Sequence, residues 1–265
     1  MTSPYLFDPA WADEYARLTA LEQVYDGPTG DLFRLLGVAE GWDCLEVGCG
    51  AGSTARQLAG LVGPSGTVLA TDLDTRFAEG HGLPNLRLRR HDLLADPLPE
   101  AAFDLAHARA VVEHLPRREE ALRRMAAAVR PGGWVLVEDF DIEGPMAEAV
   151  ARYWPAGHTV LAGRLYRALE AAFGGAGVDT GFGRRLPEAL ERVGLTAVGG
   201  RIHAPLLSGG SPFIPLTLRR LRPRLLATGL LDAPELDAAV ALIERQDVRY
   251  APNFMVGAWG RRPTP

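Results

Sequence analysis

The chain contains the stretch Leu45-Glu46-Val47-Gly48-Cys49-Gly50-Ala51-Gly52-Ser53, a short apolar run that breaks into three alternating glycines. Glycines at these positions allow a tight turn from strand to helix, where a ligand can approach the bare backbone. The acidic Glu46 beside the turn disfavours a pyrophosphate ligand and favours one with positive charge or free hydroxyl groups. The dinucleotide pattern G-x-G-x-x-G would need a third glycine at the position of Ser53. Taken alone, the turn is compatible with a nucleotide-type ligand and with a plain bend.

Length and composition narrow the class of protein. The 265 residues are 47% hydrophobic, which is enough for one large domain with a substantial core. The net charge of −5 argues against a nucleic-acid partner, and there is no run of about 18 apolar residues, so we expect no membrane span. The N-terminus lacks a signal-peptide pattern, and Cys44 and Cys49 are typical of apolar fillers in a reduced compartment. We therefore expect a cytoplasmic protein.

Strand and helix patterns alternate between Trp42 and Phe140. The predicted strands cover 44–47, 67–71, 86–90, 103–107 and 134–138, and the predicted helices cover 53–61 and 119–129. This alternation predicts right-handed crossovers and a parallel sheet with helices on both faces. Ligands of such sheets lie at the carboxyl ends of the strands. In this chain those ends carry Glu46, Asp72, Asp92, Arg109 and Asp139.

The pattern is looser after Phe140. The predicted elements are a helix over 146–173 broken near Pro155, a glycine-rich loop over 174–183, a helix over 186–193, a strand over 195–204, a helical insertion over 208–245 and a final strand over 254–259. We interpret the two helical insertions and the aromatic N-terminal segment as the walls of a lid.

Four features in chain order resemble class I S-adenosylmethionine-dependent methyltransferases. They are the glycine turn with Glu46, then Asp72, then His91-Asp92, and finally Arg130-Pro131-Gly132-Gly133. The segments 103–109 and 113–116 resemble the small-molecule, natural-product branch of that family. The resemblance implies a Rossmann-like α/β fold, with a doubly wound, mostly parallel seven-stranded sheet and helical lid insertions.

The same resemblance implies a division of roles within a single domain. Residues 1–30 would form an N-terminal lid segment and residues 31–140 the cofactor-binding core. Residues 141–265 would supply the rest of the sheet, with helical insertions that form the acceptor pocket. Candidates to line that pocket, each of which also suits plain packing, are Tyr25, His158, Tyr166, His203, Tyr250 and Asn253. We expect His81 on a solvated loop.

The cofactor implied by the resemblance is S-adenosyl-L-methionine, with S-adenosylhomocysteine as product. Asp72 would accept the two ribose hydroxyls, Asp92 would bind the adenine amino group, and Glu46 would order the turn or a water near the methionine ammonium. The implied cofactor-binding residues are Glu46, Gly48, Cys49, Gly50, Ser53, Asp72, Leu73, His91, Asp92, Leu93, Ala108 and Arg109. The alternative for Asp72 is a helix N-cap for a segment that starts at Asp74 or Thr75, and the alternative for Asp92 is a simple turn cap. Arg109 could hold a carboxylate of the cofactor or of an acidic substrate, or make an ion pair.

The catalytic residues implied by the resemblance are His114 and Asp139, because related natural-product enzymes carry His and Asp at these points. Either could act as a general base where the acceptor has a high-pKa proton. The alternatives are a packed histidine and a loop cap, and Asp141 is a less favoured substitute. A metal site built on Asp139 and Asp141 would lack a third clustered ligand, so we predict no metal.

The predicted reaction is transfer of the cofactor methyl group to an O or N atom of a small-molecule metabolite. DNA amino methylation is disfavoured, because Arg109 stands where those enzymes carry Asn or Asp before Pro-Pro-aromatic. Two alternatives stay open: a cyclisation or rearrangement on the same fold, and a non-catalytic cofactor-binding partner protein. The expected partner is a small-molecule acceptor, with no nucleic acid and no membrane, and a homodimer is one option for assembly.

Overall fold

The structure is a computed structural model that describes residues 12–264. The strands are β1 (Asp43–Val47), β2 (Thr67–Asp72), β3 (Leu86–Arg90), β4 (Phe103–Arg109), β5 (Val129–Asp141), β6 (Thr196–His203), β7 (Leu207–Ser208), β8 (Arg249–Tyr250) and β9 (Phe254–Arg261). The short strands β7 and β8 form a separate antiparallel pair, and the other seven form the main sheet. The predicted seven-stranded sheet is therefore confirmed.

The helices are α1 (Glu14–Leu35), α2 (Ser53–Val62), α3 (Arg118–Ala128), α4 (Pro145–Ala151), α5 (Thr159–Gly174), α6 (Phe182–Arg192), α7 (Phe213–Ala227) and α8 (Ala233–Glu244). Short 3₁₀ turns occur at Arg76–Ala78 and Val112–His114. Over residues 12–264, no helix combines the length and the apolar character that a membrane crossing requires.

The strand order in the main sheet is β3-β2-β1-β4-β5-β9-β6. The pairs β1–β2, β2–β3, β1–β4 and β4–β5 are parallel. The chain leaves β1 towards β2 and β3 on one side and continues with β4 and β5 on the other. Ligands of doubly wound sheets lie at this switch point, at the carboxyl ends of the strands. In this chain the switch lies where the glycine turn follows β1.

The chain forms two compact units. The larger one comprises Tyr25–Asp139, Gly183–Arg201 and the described residues from Val256 onward. The smaller one comprises Phe140–Phe182, Ile202–Met255 and the described residues up to Val24. The predicted core segment 31–140 belongs almost entirely to the larger unit.

The core of the larger unit packs helices against the first strands of the sheet. Positions 55, 58, 59 and 62 of α2 recur at helical spacing, and all four side chains are buried. Leu32 and Phe33 of α1 join them, together with Val68 of β2 and Leu105 of β4. Each fully buried side chain of this size stabilises the fold by about 1.5–3 kcal/mol. This packing holds the carboxyl ends of the strands in place.

Three buried aromatic rings meet in the smaller unit. The ring of Trp154 lies edge-on to those of Tyr166 and Tyr250, with centroid distances of 6.0 and 5.7 Å. The Tyr166 hydroxyl donates to the carbonyl oxygen of Ala251 at 3.0 Å. Edge-to-face pairs of this kind add about 0.5–1.5 kcal/mol to the burial of the rings.

Helix α1 was not predicted from the sequence, although it occupies most of the described part of the segment 1–30. Pro28 lies inside it, between two glycines, and an interior proline costs about 3 kcal/mol. The helix continues because Leu32 is fully buried and Thr29 donates a hydrogen bond to Glu138 at 2.7 Å. Tertiary contacts here outweigh the local preference. Residues 1–11 of the predicted lid segment lie outside the described residues.

Strand β5 begins earlier than predicted. The segment 130–133 lies between the predicted helix over 119–129 and the predicted strand over 134–138, whereas the observed strand includes it as a bulge opposite β4. The N–H of Gly132 donates to the carbonyl of Arg262 at 2.8 Å, and the N–H of Arg262 donates to the carbonyl of Gly133 at 2.9 Å. Partners from the end of the chain thus keep the Pro-Gly-Gly backbone in the sheet.

Two other boundaries differ by a few residues. β4 continues to Arg109, two positions beyond its predicted end, because β5 pairs with it as far as Glu138. α6 starts at Phe182, inside the predicted glycine-rich loop over 174–183. The strands β7 and β8 are too short for a sequence pattern and were not predicted.

Candidate functional site

The glycine turn between β1 and α2 is hydrogen-bonded to the backbone of β2. The N–H groups of Gly48 and Cys49 both donate to the carbonyl of Thr71, at 2.8 and 3.0 Å. Gly48 has a φ of 70°, and a Cβ there would lie 2.2 Å from Cγ2 of Val111. The turn therefore requires glycine for its backbone conformation and for its close approach to the residues after β4.

Asp72 is the last residue of β2, and its side chain binds the backbone of the same turn. Its Oδ2 accepts the N–H of Gly50 at 2.9 Å, and its Oδ1 accepts the N–H of Asp74 at 3.1 Å. Burial raises the pKa of Asp72, and the backbone hydrogen bonds partly oppose that shift. A carboxylate offers about four acceptor sites, so both oxygens can accept further hydrogen bonds from a ligand. The bond to Asp74 is a turn contact and not a helix N-cap, because the 3₁₀ helix that follows begins at Arg76 with Thr75 as its N-cap. The ligand contact of Asp72 stays a prediction.

The end of β3 lies beside β2 and carries a second set of predicted residues. His91 is buried, and its Nδ1 has no hydrogen-bond partner within residues 12–264. Oδ1 of Asp92 accepts the N–H of Leu94 at 2.8 Å, as the turn-cap alternative requires. Leu93 is buried, whereas Leu73, next to Asp72, is 56% exposed. The contacts of His91, Asp92, Leu93 and Leu73 with a ligand stay predictions.

Arg109 ends β4 and binds side chains of α1. Its Nη1 donates to Oγ1 of Thr29 at 2.9 Å, and its Nη2 donates to Oδ1 of Asp26 at 2.9 Å. The hydroxyl of Ser53 donates to the same Asp26 oxygen at 2.9 Å. Ala108, the preceding residue, is fully buried. The ion pair considered for Arg109 is therefore present, and a contact between Arg109 and a ligand carboxylate stays a prediction.

Three charged side chains lie in the buried middle of β1, β4 and β5. Nδ1 of His107 is 2.6 Å from Oε2 of Glu46, and its Nε2 is 3.1 Å from Oε2 of Glu138. Burial acts to lower the pKa of His107, but the two carboxylates outweigh it and raise the pKa to about 9. Burial acts to raise the pKa of Glu138, but His107, Arg109 and Thr29 together outweigh it, so that pKa lies below its usual range.

Sequence reasoning assigned a role to Glu46 but missed His107 and Glu138. The signal was present, because each interrupts a predicted apolar strand with an ionisable side chain. Glu46 lies directly opposite His107 in the β1–β4 register. That register is a property of the sheet, so the pairing was not visible in the sequence.

Asp139 is fully buried near the end of β5. Its Oδ1 accepts the N–H of Val111 and its Oδ2 accepts the N–H of Glu113, both at 3.1 Å. Burial, and then the neighbouring Glu113 carboxylate, raise the pKa of Asp139 well above its usual range. The loop-cap alternative describes these contacts, and a catalytic role for Asp139 stays a prediction.

His114 closes the 3₁₀ turn that follows β4. Its Nε2 lies 3.3 Å from Oε1 of Glu113, and its side chain is 11% exposed. A partly exposed imidazole can accept a proton from an acceptor molecule through an unprotonated ring nitrogen. Its use as a general base stays a prediction.

The residues considered for the acceptor pocket are mostly packed. Tyr25 of the larger unit is fully buried, and so are Tyr166 and Tyr250 of the smaller unit. His158 is half-buried, with Nδ1 3.1 Å from the carbonyl oxygen of Ala156. Two further candidates, His203 and Asn253, are half-buried and buried respectively. His81 is half-buried in its loop, and its Nδ1 accepts the N–H of Leu83 at 3.0 Å.

Within residues 12–264 there is no group of three or more His, Cys, Asp or Glu side chains with an arrangement suited to a metal ion. The donor set instead suits an organic cofactor with hydroxyl groups. Asp72 has acceptor capacity to spare, the turn at Gly48 excludes any Cβ, and His91 carries an orphaned ring nitrogen. These residues fit the nucleoside and amino-acid portions of S-adenosylmethionine.

Comparison with known proteins gives the same family. A family model described as a methyltransferase domain matches residues 8–178. The methyltransferase str2 of Strobilurus tenacellus is 35% identical over 129 residues, which are 48% of this chain and 46% of that protein. The O-methyltransferase cnsE of Penicillium expansum is 29% identical over 161 residues, 58% of each chain. The chain thus spans about half the length of these curated relatives.

The fold is similar to that of phosphoethanolamine N-methyltransferase 2 of Haemonchus contortus, solved with phosphomonomethylethanolamine and S-adenosylhomocysteine. The TM-score is 0.60 over 94% of this chain and 58% of that one, at 15% identity, a likeness of fold alone. The family model, in contrast, matches more than half of the chain, and the resemblance found in the sequence is confirmed. The chain belongs to the class I S-adenosylmethionine-dependent methyltransferases.

Proposed function

We propose that this chain transfers the methyl group of S-adenosylmethionine to an O or N atom of a small-molecule metabolite. The hydrogen bond from Gly50 to Asp72 carries this proposal. It brings a carboxylate with spare acceptor capacity next to a turn without side chains, at the switch point of the sheet. A ligand with two vicinal hydroxyls and an extended polar tail matches both features.

Each predicted cofactor residue has a physical role in this proposal, and that of Glu46 is to order the glycine turn or a water near the methionine ammonium. The backbone of Gly48, Cys49 and Gly50 faces the methionine portion, and Asp72 accepts the ribose hydroxyls. The exposed side chain of Leu73 is covered by the adenine ring. The remaining predicted contacts are those of His91, Asp92 and Leu93 with the adenine edge, and of Ser53, Ala108 and Arg109 beside the turn.

When bound, the cofactor supplies a methyl group on a cationic sulfur, which a nucleophile displaces in line. The chain contributes chiefly by aligning the nucleophile with that methyl group, which can account for most of the acceleration. His114 is the favoured general base for an acceptor that carries a high-pKa proton, because its side chain is partly exposed. Asp139 is a second candidate base, and its two backbone hydrogen bonds also support a role in positioning the residues after β4.

The acceptor is proposed to be a small natural-product-like metabolite, held by the helical segments within 141–265. The acidic net charge and the lack of a Pro-Pro-aromatic motif after Arg109 argue against a nucleic acid. A cytoplasmic location and a homodimer are further predictions. A size measurement on the purified chain would decide the second of these.

Binding of S-adenosylhomocysteine, measured by isothermal titration calorimetry, tests the cofactor assignment. We expect micromolar affinity for the wild-type chain. Absence of heat at millimolar ligand would exclude the proposed cofactor site. Adenosine and homocysteine, titrated separately, should each bind more weakly than the intact ligand, because each contacts only part of the site.

Incubation with methyl-labelled S-adenosylmethionine and a metabolite extract tests the reaction. We expect label in a small molecule, attached to O or N, and an equal amount of S-adenosylhomocysteine. Label on carbon would exclude the proposed acceptor atom. A substrate that changes without gaining label would indicate a cyclisation or rearrangement. Binding without any change in the extract would favour a non-catalytic cofactor-binding partner.

A further inference from the structure

The buried contact between His107 and two carboxylates defines the charge of the imidazole. Oε2 of Glu46 and Oε2 of Glu138 lie within hydrogen-bond distance of its two ring nitrogens. An ionised carboxylate only accepts, and a neutral imidazole has a single N–H to donate. With both carboxylates ionised, the two contacts are made together only if both ring nitrogens carry a proton. The edge of the Phe33 ring, with centroids 5.1 Å apart, covers the imidazole on the α1 side.

Within residues 12–264, the cation next to Glu46 is His107. Arg109 lies near Glu138 and interacts with it electrostatically, whereas Oε2 of Glu46 contacts Nδ1 of His107. Oε1 of Glu138 is buried and has no hydrogen-bond partner among the described residues. Burial makes an uncompensated carboxylate costly, so loss of the imidazolium charge would destabilise this arrangement.

A line of hydrogen bonds leads from this buried cluster to the glycine turn. Oε2 of Glu138 also accepts the hydroxyl of Thr29 at 2.7 Å, and that hydroxyl accepts Nη1 of Arg109 at 2.9 Å. Nη2 of Arg109 donates to Asp26, which also accepts the hydroxyl of Ser53. Ser53 is the first residue of α2 and directly follows the turn. The middle of the sheet, residues 26–29 of α1 and the start of α2 are therefore linked through side chains.

We propose that His107 is a positioning residue for the cofactor site, a role that rests on the proposed function. As an imidazolium between Glu46 and Glu138, it keeps the Glu138–Thr29–Arg109–Asp26 line intact and so fixes Ser53 at the end of the glycine turn. The affinity for the cofactor thus depends on the charge of His107, a side chain that the cofactor does not contact. Replacement of His107 by a neutral side chain loosens the turn without removing any ligand contact.

The pH dependence follows from the groups around His107. The ionisable groups that face it are Glu46 from β1 and Glu138 from β5, with Arg109 and Asp26 further along the line. The pKa of His107 is raised to about 9. Its stabilising contribution is therefore complete below the ordinary histidine pKa and is lost as the pH rises through about 9. Cofactor affinity should fall over the same interval.

The charge state of His107 can be measured directly in the wild-type chain by nitrogen-15 NMR of the imidazole rings. The chain has six histidines, and the signal of His107 is identified by its loss in His107→Gln. We expect both ring nitrogens to be protonated at about pH 7, where an ordinary histidine is mostly neutral. A neutral ring at that pH would overturn the proposal, and the result does not depend on whether the chain binds any cofactor.

Binding of S-adenosylhomocysteine to two variants tests the positioning role. His107→Gln leaves Glu46 without a cation, and we expect its affinity to fall by about tenfold or more. Adding Glu46→Gln removes that unpaired charge, and the double variant should recover most of the lost melting temperature. Thermal melts identify the folded variants. Wild-type affinity in folded His107→Gln would overturn the positioning role, and no recovery of melting temperature in the double variant would contradict the pairing of His107 with Glu46.

The pH profile of binding keeps the test decisive if His107→Gln does not fold. The wild-type chain should lose affinity between about pH 8 and 10, beyond the change caused by the amino group of the ligand itself. The amino group of the ligand titrates in the experiments on both proteins, but only the wild-type chain contains His107. The difference between the two pH profiles therefore reports the titration of the His107 imidazole. Identical profiles would overturn the proposal. If the wild-type chain binds no S-adenosylhomocysteine, the proposed function fails and the NMR result still decides the charge of His107.

Discussion

The carboxylate of Asp72 accepts the backbone N–H of Gly50, with 2.9 Å between Oδ2 and the nitrogen. The two residues are 22 positions apart in the chain, and they meet because β1 and β2 are parallel neighbours in the sheet. The bond joins the end of β2 to the glycine turn after β1. A ligand bound by Asp72 therefore also lies next to the bare backbone of the turn.

Asp72→Asn should weaken the binding of S-adenosylhomocysteine. The change removes the negative charge that would accept the ribose hydroxyls, and one charged hydrogen bond of about 1.5–3 kcal/mol corresponds to at least tenfold in affinity. Asp74→Asn is the matched control, because Asp74 is paired with Arg76 and its backbone N–H is retained. Calorimetry should show near wild-type affinity for the control. Equal losses in both variants would contradict a direct role for Asp72.

The same carboxylate makes a prediction about acid pH. Because burial raises the pKa of Asp72, its ionised form is lost at a higher pH than for a free aspartate as the pH falls. Binding by the wild-type chain should weaken correspondingly early. The affinity of Asp72→Asn should lack this dependence, and parallel profiles would argue against the assignment.

Gly48→Ala should destabilise the chain and abolish cofactor binding. The left-handed backbone and the 2.2 Å approach of a Cβ to Val111 together cost about 2–4 kcal/mol of unfolding free energy. Gly60→Ala in α2 is the control, since a Cβ there meets nothing within 4 Å. Urea titration should show a gain of about 0.4–1 kcal/mol for the control. A neutral Gly48→Ala would contradict the described turn.

His114→Ala should lower turnover by about 100-fold while the affinity for S-adenosylhomocysteine stays within about twofold, because general-base catalysis contributes factors of this size. His81→Ala, a change in a loop outside the proposed site, is the control and should keep wild-type turnover. Steady-state kinetics with the identified acceptor provides the measurement. Unchanged turnover in His114→Ala would indicate that alignment alone accounts for the rate.

Asp139→Asn should destabilise the fold even if Asp139 takes no part in chemistry. The amide nitrogen of asparagine would face a backbone N–H of Val111 or Glu113, and an unsatisfied buried donor costs about 1–3 kcal/mol. That loss corresponds to a decrease in melting temperature of about 2–4 °C per kcal/mol. Asp31→Asn, on the exposed surface of α1, should leave the melting temperature unchanged. Equal melting temperatures for both variants would contradict the bonds described for Asp139.

Tyr166→Phe should reduce stability without affecting cofactor affinity. The variant loses the hydrogen bond to Ala251 and leaves that carbonyl buried, at a cost of about 1 kcal/mol. Tyr153→Phe is the matched control, because the side chain of Tyr153 is 55% exposed. Calorimetric melts should separate the two variants. A change in the apparent KM for the acceptor, with wild-type stability, would instead support a place for Tyr166 in the acceptor pocket.

Local patterns predicted the first half of the fold well. The strands β1, β2 and β3 and the helix α2 agree with their predicted bounds to within a residue, because apolar runs there are bounded by glycine and aspartate turns. Helix α1 shows the opposite case. Pro28 and its flanking glycines disfavour a helix locally, and only the burial of α1 against the sheet retains it.

The candidate site also has a part that the sequence predicted and a part that it did not. Glu46, Asp72 and Asp92 were predicted at strand ends, because parallel topology brings the carboxyl ends of the strands to one edge. The partners of these residues were not predicted. Thr29 and Glu138 are 109 positions apart, and no pattern in the chain indicates that one donates to the other.

The sequence by itself determined the doubly wound sheet, the glycine turn and the strand-end carboxylates, since periodicity and turn chemistry depend on neighbouring residues. Only the tertiary structure decided which charges meet. The pairing of His107 with Glu46 and Glu138 depends on the register of three strands, and that of Arg109 with Asp26 depends on how α1 packs. Such contacts follow from burial over the whole unit, where a charge is stable only beside its opposite.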